Sequence, residues 1–114
     1  MRKLFTILVV TLFIQMQCFA WKPLFAGHRG SYRGVENTEE AFMSAINYYG
    51  YTGMEIDVKT TSDGQCVCWH DDDLSRGGHA DVSIPNSTLA ELQALTLTQT
   101  RGGVQYTGKV CTVD

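Results

Sequence analysis

Ala26-Gly27-His28-Arg29-Gly30, Met54-Glu55-Ile56-Asp57-Val58 and Gln65-Cys66-Val67-Cys68-Trp69-His70-Asp71 are the runs that decide how this chain folds. Each reads as a short β-strand whose polar end carries ionisable groups. Residues i and i+2 of a strand point to one face, so Glu55 and Asp57, on a strand expected over 54–60, can converge on one cation. His28 and His70, beside such a hard-cation site, form a candidate acid/base pair for chemistry at phosphorus. Clustered carboxylates repel unless a metal or an arginine compensates them, and Arg29 stands in the first run.

Outward from these runs, the pattern predicts a strand at 23–27 and a glycine-rich loop through Gly30 and Gly34. A helix is expected over 38–49, with Asn37 as N-cap and Glu40 at N3. Its apolar positions Ala41, Phe42, Ala45, Ile46 and Tyr49 should be buried, and Gly50 should stop it. Strands at 54–60 and 65–70 are joined by a turn at Ser62-Asp63-Gly64. Residues 71–86 read as a polar loop, with His79 exposed in it. A second helix is expected to start near Thr88, capped through Glu91 and burying Leu89, Leu92 and Leu95. Residues 101–108 read as turn-rich. The strand–helix–strand order implies an α/β architecture.

The 114-residue chain carries a formal charge of −3. Arg2 and Lys3 precede an apolar stretch from Leu4 to Ile14, and Cys18-Phe19-Ala20 ends in small residues at the −3 and −1 positions. Residues 1–20 are therefore expected to be a secretory signal peptide, cleaved before Trp21. Cleavage takes two of the nine basic residues and none of the twelve acidic ones, moving the charge from −3 to −5. No basic stripe remains, so nucleic-acid binding lacks its electrostatic footprint. The expected product is exported, periplasmic or secreted, with no stable membrane span after cleavage. Cys66, Cys68 and Cys111 survive. Cys66 and Cys68 are expected to fill one inward strand face; their Cα atoms, about 6.6 Å apart by strand rise, sit near the upper limit for a disulfide. Cys111 could pair with either only if the fold brings them together. Asn86-Ser87-Thr88 fits a glycosylation acceptor but also stands where helix-start residues belong.

The runs also carry a resemblance. His28-Arg29-Gly30, Val35-Glu36-Asn37-Thr38, Glu55-Ile56-Asp57-Val58, Asp63-Gly64 and His70-Asp71-Asp72-Asp73-Leu74-Ser75-Arg76 follow in the order and spacing of the glycerophosphodiester phosphodiesterase domain. Val35 departs from that family's usual proline. The closing Val110-Cys111-Thr112-Val113-Asp114 resembles its next block.

The resemblance implies the N-terminal part of a (β/α)8 TIM-type barrel, the phosphatidylinositol-phospholipase C-like phosphodiesterase barrel, incomplete in residues 21–114. Such a barrel needs about 250 residues. The implied activity is metal-dependent hydrolysis of a small-molecule glycerophosphodiester to an alcohol and glycerol 3-phosphate, a phosphoric diester hydrolase reaction. His28 and His70 would be base and acid, Arg29 would hold the phosphate, and Glu55 and Asp57 would bind Mg²⁺ or Ca²⁺, the third ligand being absent from this chain. Asn37 is accounted for by capping, Glu36 stands outside the ligands, and Asp71 is expected to orient His70. Asp72 and Asp73 are expected to form a solvated turn. A piece of this size is expected to bury too little apolar surface to fold well or turn over alone. Two other readings stay open: a phospholipase D-like lipid hydrolase with a similar residue set, and a non-catalytic secreted remnant of the same fold.

Overall fold

The computed structural model describes residues 24–113. The expected signal peptide lies outside the described residues. Strand β1 (Ala26–His28) leads through a loop into helix α1 (Glu39–Asn47) and back to β2 (Gly53–Glu55). β1 and β2 pair in parallel, with Ala26 opposite Gly53 and His28 opposite Glu55. This is a β–α–β unit, and its two C-terminal strand ends lie side by side. β3 (Val58–Thr60) and β4 (Cys66–Cys68) form an antiparallel hairpin. β5 (Asp73–Leu74) pairs with β6 (His79–Ser83). Helix α2 (Leu89–Ala94) precedes the hairpin of β7 (Leu97–Arg101) and β8 (Val104–Gly108). The four ladders are two-stranded, and no closed barrel forms among the described residues.

One apolar core joins the later elements. Val35, Val67, Trp69, Leu74, Ile84, Leu92, Leu97 and Val110 are buried together, with Leu89, Leu95 and Tyr106 packed against them. The Trp69 indole donates to Asp73 O at 2.7 Å, so the buried ring keeps its one polar group satisfied. α1 packs by close approach instead. Gly30, at φ 93°, faces Ala41 so tightly that an added Cβ would stand 2.7 Å from the Ala41 Cβ. Ser31 N–H donates to Ala41 O at 3.0 Å, tying this loop to the helix.

Several expectations need correction. The strand expected over 54–60 is two strands: the chain turns at Ile56–Asp57, because β2 pairs with β1 while β3 pairs with β4. α1 begins at Glu39 with Thr38 as N-cap, and no side chain caps it. Asn37 is not the cap; it adopts φ 56° and turns its amide elsewhere. Of the apolar positions expected inside α1, Ala41 and Ala45 are buried, whereas Ile46 (50%) and Tyr49 (42%) are exposed. The polar loop expected over 71–86 holds β5, β6 and two 3₁₀ turns, Ser75–Gly77 and Ile84–Asn86. His79 lies on β6 with its Nε2 2.9 Å from Thr96 O. Residues 101–108 belong to a hairpin whose Gly102 and Gly103, at φ 58° and 79°, supply the two left-handed positions of a two-residue turn. Cys66 is exposed while Cys68 is buried, so of these two alternate positions only Cys68 fills the interior.

The second helix matches its expectation. Thr88 caps it in a capping box with Glu91, and Leu92 is fully buried. Among the described residues no helix is long and apolar enough to cross a membrane.

Candidate active site

The parallel register sets the first half of the site. His28 and Glu55 are opposed at the ends of β1 and β2, and His28 Nε2 lies 3.9 Å from Glu55 Oε2. Arg29 follows at φ 56°, a left-handed conformation that swings its backbone N–H toward β2. That N–H donates to both Glu55 O and Glu55 Oε2, each at 3.0 Å.

Asp57 is held from two sides. Its N–H donates to Asn37 Oδ1 at 3.2 Å, and Asn37 Nδ2 donates to Asp57 Oδ2 at 3.0 Å. The Asp57 carbonyl accepts from Trp69 N–H at 3.0 Å, which brings the end of β4 alongside. Asn37 itself is completely buried. Its left-handed backbone is one that asparagine tolerates better than most residues.

Arg29 stands between carboxylates. Its Nη1 donates to Glu36 Oε1 at 3.2 Å, and its Nε lies 3.0 Å from Asp57 Oδ2. The Nε–H is poorly aligned with that oxygen, so this contact is an ion pair without a hydrogen bond and the buried Nε–H has no acceptor. Glu55 and Asp57 thus both contact Arg29, Glu55 at its backbone N–H and Asp57 at its side chain, from either side of a chain turn rather than along one strand face.

Glu36 is the hub of the arginines. Its side chain is 7% exposed and faces Arg29, Arg101 Nη2 at 3.0 Å and Arg76 Nη1 at 3.9 Å. Gln99 Oε1 accepts from both Glu36 N–H (3.1 Å) and Arg101 Nε (2.8 Å), fixing the Arg101 guanidinium. Three guanidinia therefore offset the carboxylates of Glu36, Asp57 and Asp71. The sequence did not place Gln99 and Arg101 in the site; the available signal was the Gly102-Gly103 pair between strand-like runs, which marks a hairpin.

His70 leaves β4 and pairs with Asp71. Its Nδ1 bonds Asp71 Oδ1, and Arg76 Nε bonds the other carboxylate oxygen. The hydrogen bond with His70, followed by Arg76, holds the Asp71 carboxyl below the usual carboxylate range. The same carboxylate pushes the Arg76 guanidinium up. With Nδ1 engaged, Nε2 is the His70 nitrogen left for proton exchange. Asp72 pairs with Lys59 at 2.7 Å, and Asp73 Oδ1 accepts from Ser75 N–H at 2.9 Å.

A surface cleft lined by His28, Arg29, Tyr32, Glu36, Tyr49 and Arg101 opens beside β1. Among the described residues no group of three or more His, Cys, Asp or Glu side chains is arranged to hold a metal ion. Glu55 and Asp57 offer oxygen donors only.

The model of the glycerophosphoryl diester phosphodiesterase family matches residues 27–113. A glycerophosphodiester phosphodiesterase of Caldanaerobacter subterraneus is 37% identical over 75 residues, covering 65% of this chain and 30% of that protein. The crystal structure of glycerophosphodiester phosphodiesterase from Thermotoga maritima aligns with TM-score 0.63 and 38% identity, over 82% of this chain and 38% of that one. A phosphodiesterase of Oleispira antarctica, solved with the product sn-glycerol-3-phosphate, aligns with TM-score 0.56 and 38% identity, over 62% of this chain and 29% of that one. The fold is accordingly an incomplete portion of the TIM barrel of this family. The chain spans about a third of the length of the relatives it matches. On the match over residues 27–113, it belongs to the glycerophosphoryl diester phosphodiesterase family.

Proposed function

We propose that these residues contribute the acid/base half of a glycerophosphodiester phosphodiesterase, which hydrolyses a small glycerophosphodiester to an alcohol and glycerol 3-phosphate. The observation that carries this reading is the opposition of His28 and Glu55 at adjacent strand ends, with Arg29 anchored between Glu55 and Asp57. In barrels of this kind chemistry sits at the C-terminal strand ends.

Arg29, pinned by Asp57 and Glu36, would present the rest of its guanidinium to a phosphate oxygen and offset charge as the phosphorus is attacked. His28 would take the proton from the nucleophile, water or the neighbouring glycerol hydroxyl. His70, its ring oriented by Asp71, would deliver a proton through Nε2 to the departing alkoxide. Water supplies the hydroxyl that ends on phosphorus, and its other proton completes the alcohol.

Glu55 and Asp57 suit a hard divalent cation, Mg²⁺ or Ca²⁺, by donor chemistry: both are carboxylates, and the Glu55 side chain is 47% exposed. Such an ion would neutralise charge on the phosphate oxygens. We read residues 1–20 as an export signal and the protein as periplasmic or secreted.

The test is a graft. Residues 24–113 replace the matched segment of the Thermotoga maritima protein, and glycerol 3-phosphate release from glycerophosphocholine is measured with Mg²⁺ or Ca²⁺. The reading requires turnover that is lost in Arg29→Met. A folded graft without turnover contradicts it.

A further inference from the structure

We propose that Cys68 and Cys111 form an intramolecular disulfide when the chain meets a low-molecular-weight disulfide, leaving Cys66 a free thiol. Val67 and Thr112 form an antiparallel bridge, flanked by Cys68 N–H donating to Cys111 O at 2.9 Å and Val113 N–H donating to Cys66 O at 3.4 Å. This register sets Cys68 directly opposite Cys111. Opposed residues of an antiparallel pair have Cα atoms about 4.5–5.5 Å apart and side chains on one face. That separation lies within the span a disulfide bridges, about 4.4–6.8 Å.

The alternatives fit worse. Cys66 is diagonal to Cys111, and diagonal neighbours are about 7–8 Å apart. Cys66 and Cys68, two apart on β4, sit at the upper limit already noted. The sulfurs of Cys68 and Cys111 also bear on each other: burial pushes both thiols up, Cys111 to about 12, and each alters the ionisation of the other. All three thiols are free in the structure.

The exchange balances with the small disulfide as oxidant. Cys111, the more exposed of the pair, loses its proton to solvent and attacks one sulfur, releasing one small thiol and forming a mixed disulfide. Cys68 then loses its proton and attacks the Cys111 sulfur, releasing the second small thiol. The protein gives up two electrons, and the small disulfide accepts them. The bond would tie residues 110–113 to β4. It would also consume the thiol hydrogen that Cys111 donates to Asn37 O at 3.4 Å, directly behind the residue that holds Asp57.

The experiment uses the full chain carrying Cys18→Ser, equilibrated with reduced and oxidised glutathione, natively and in denaturant. Remaining thiols are then alkylated, and the cross-linked peptides are fragmented between Cys66 and Cys68. Natively, the Cys68–Cys111 link should exceed Cys66–Cys111 by at least about tenfold. In denaturant the ratio should fall near one, because the two loops are almost equal in length. Cys68→Ser should leave Cys111 alkylated rather than shift it to Cys66. A native ratio near one, three alkylated thiols in oxidising buffer, or efficient Cys66–Cys111 pairing in Cys68→Ser would each overturn the proposal.

Discussion

Asn37 and Asp57 hold each other through a reciprocal pair of hydrogen bonds, side-chain amide to carboxylate and backbone N–H to side-chain carbonyl. The residue that looked like a helix cap is therefore the brace of a candidate metal ligand. Removing the amide strands a backbone donor and a carboxylate lone pair, at a cost of roughly 1–3 kcal/mol. Asn37→Gly and Asn37→Ala should both melt below the parent. Alanine should melt lower than glycine, because φ 56° carries a Cβ penalty that glycine escapes. Thermal melts of the three proteins check the order, and an alanine variant as stable as the glycine one would contradict it.

Glu36 is predicted to be the costliest single charge in the site. It is 6% exposed and faces Arg29, Arg76 and Arg101, so Glu36→Gln leaves the largely covered Arg101 guanidinium without its carboxylate partner among the described residues and weakens the compensation of Arg29 and Arg76. Breaking a buried pair from one side costs about 3–5 kcal/mol. A double-mutant cycle of Glu36→Gln with Arg101→Met should show strong coupling, the double variant losing much less than the sum of the singles. Additive losses would mean that the pair does not interact.

Gly30→Ala tests the close approach of the loop to α1. The added methyl would stand 2.7 Å from the Ala41 Cβ and 2.9 Å from the Ala41 carbonyl carbon, at φ 93°. Strain and overpacking together should cost about 2–4 kcal/mol. Urea denaturation measures this, and a midpoint unchanged from the parent would show that the loop does not press on the helix.

Acid should loosen the His70 loop. The Asp71 carboxyl is held below its ordinary value of 3.8 by its hydrogen bond with His70 and then by Arg76. A depressed carboxylate pKa means that the folded chain binds the proton less readily than the unfolded one. This contribution is thus complete above the ordinary value and lost as pH falls through the lowered one. Arg76→Gln should lose less stability than the parent as pH falls through and below 3.8. Parallel pH profiles for the two proteins would contradict the assignment.

Much of this was legible in the residues because local rules pointed one way. Thr88 and Glu91 formed the expected capping box because both partners lie within one helical turn. His28 and Glu55 stand opposite each other because the β–α–β unit aligns two strand ends. What escaped was non-local. The break after Glu55 follows from β2 and β3 choosing different partners, which i, i+2 spacing cannot reveal. Asn37 satisfied the composition of a cap while bonding a residue twenty positions away. Arg101 reaches Glu36 across 65 positions through a hairpin signalled by two glycines. The exposure of Ile46 and Tyr49 has a similar root: helical periodicity marks an apolar face, but the described residues leave Ile46 half exposed and cover Tyr49 only in part, through the Tyr48 and Tyr51 rings.

In the proposed reaction His70 supplies the leaving-group proton while His28 serves the nucleophile. The direct test compares two glycerophosphodiesters in the grafted enzyme, one releasing choline and one releasing p-nitrophenolate, which departs without a proton. His70→Ala should lose about 10²–10⁴ in rate on the choline ester and far less on the p-nitrophenyl ester, whereas His28→Ala should lose that much on both. Equal losses on both substrates in His70→Ala, or turnover indifferent to His28, would contradict the account.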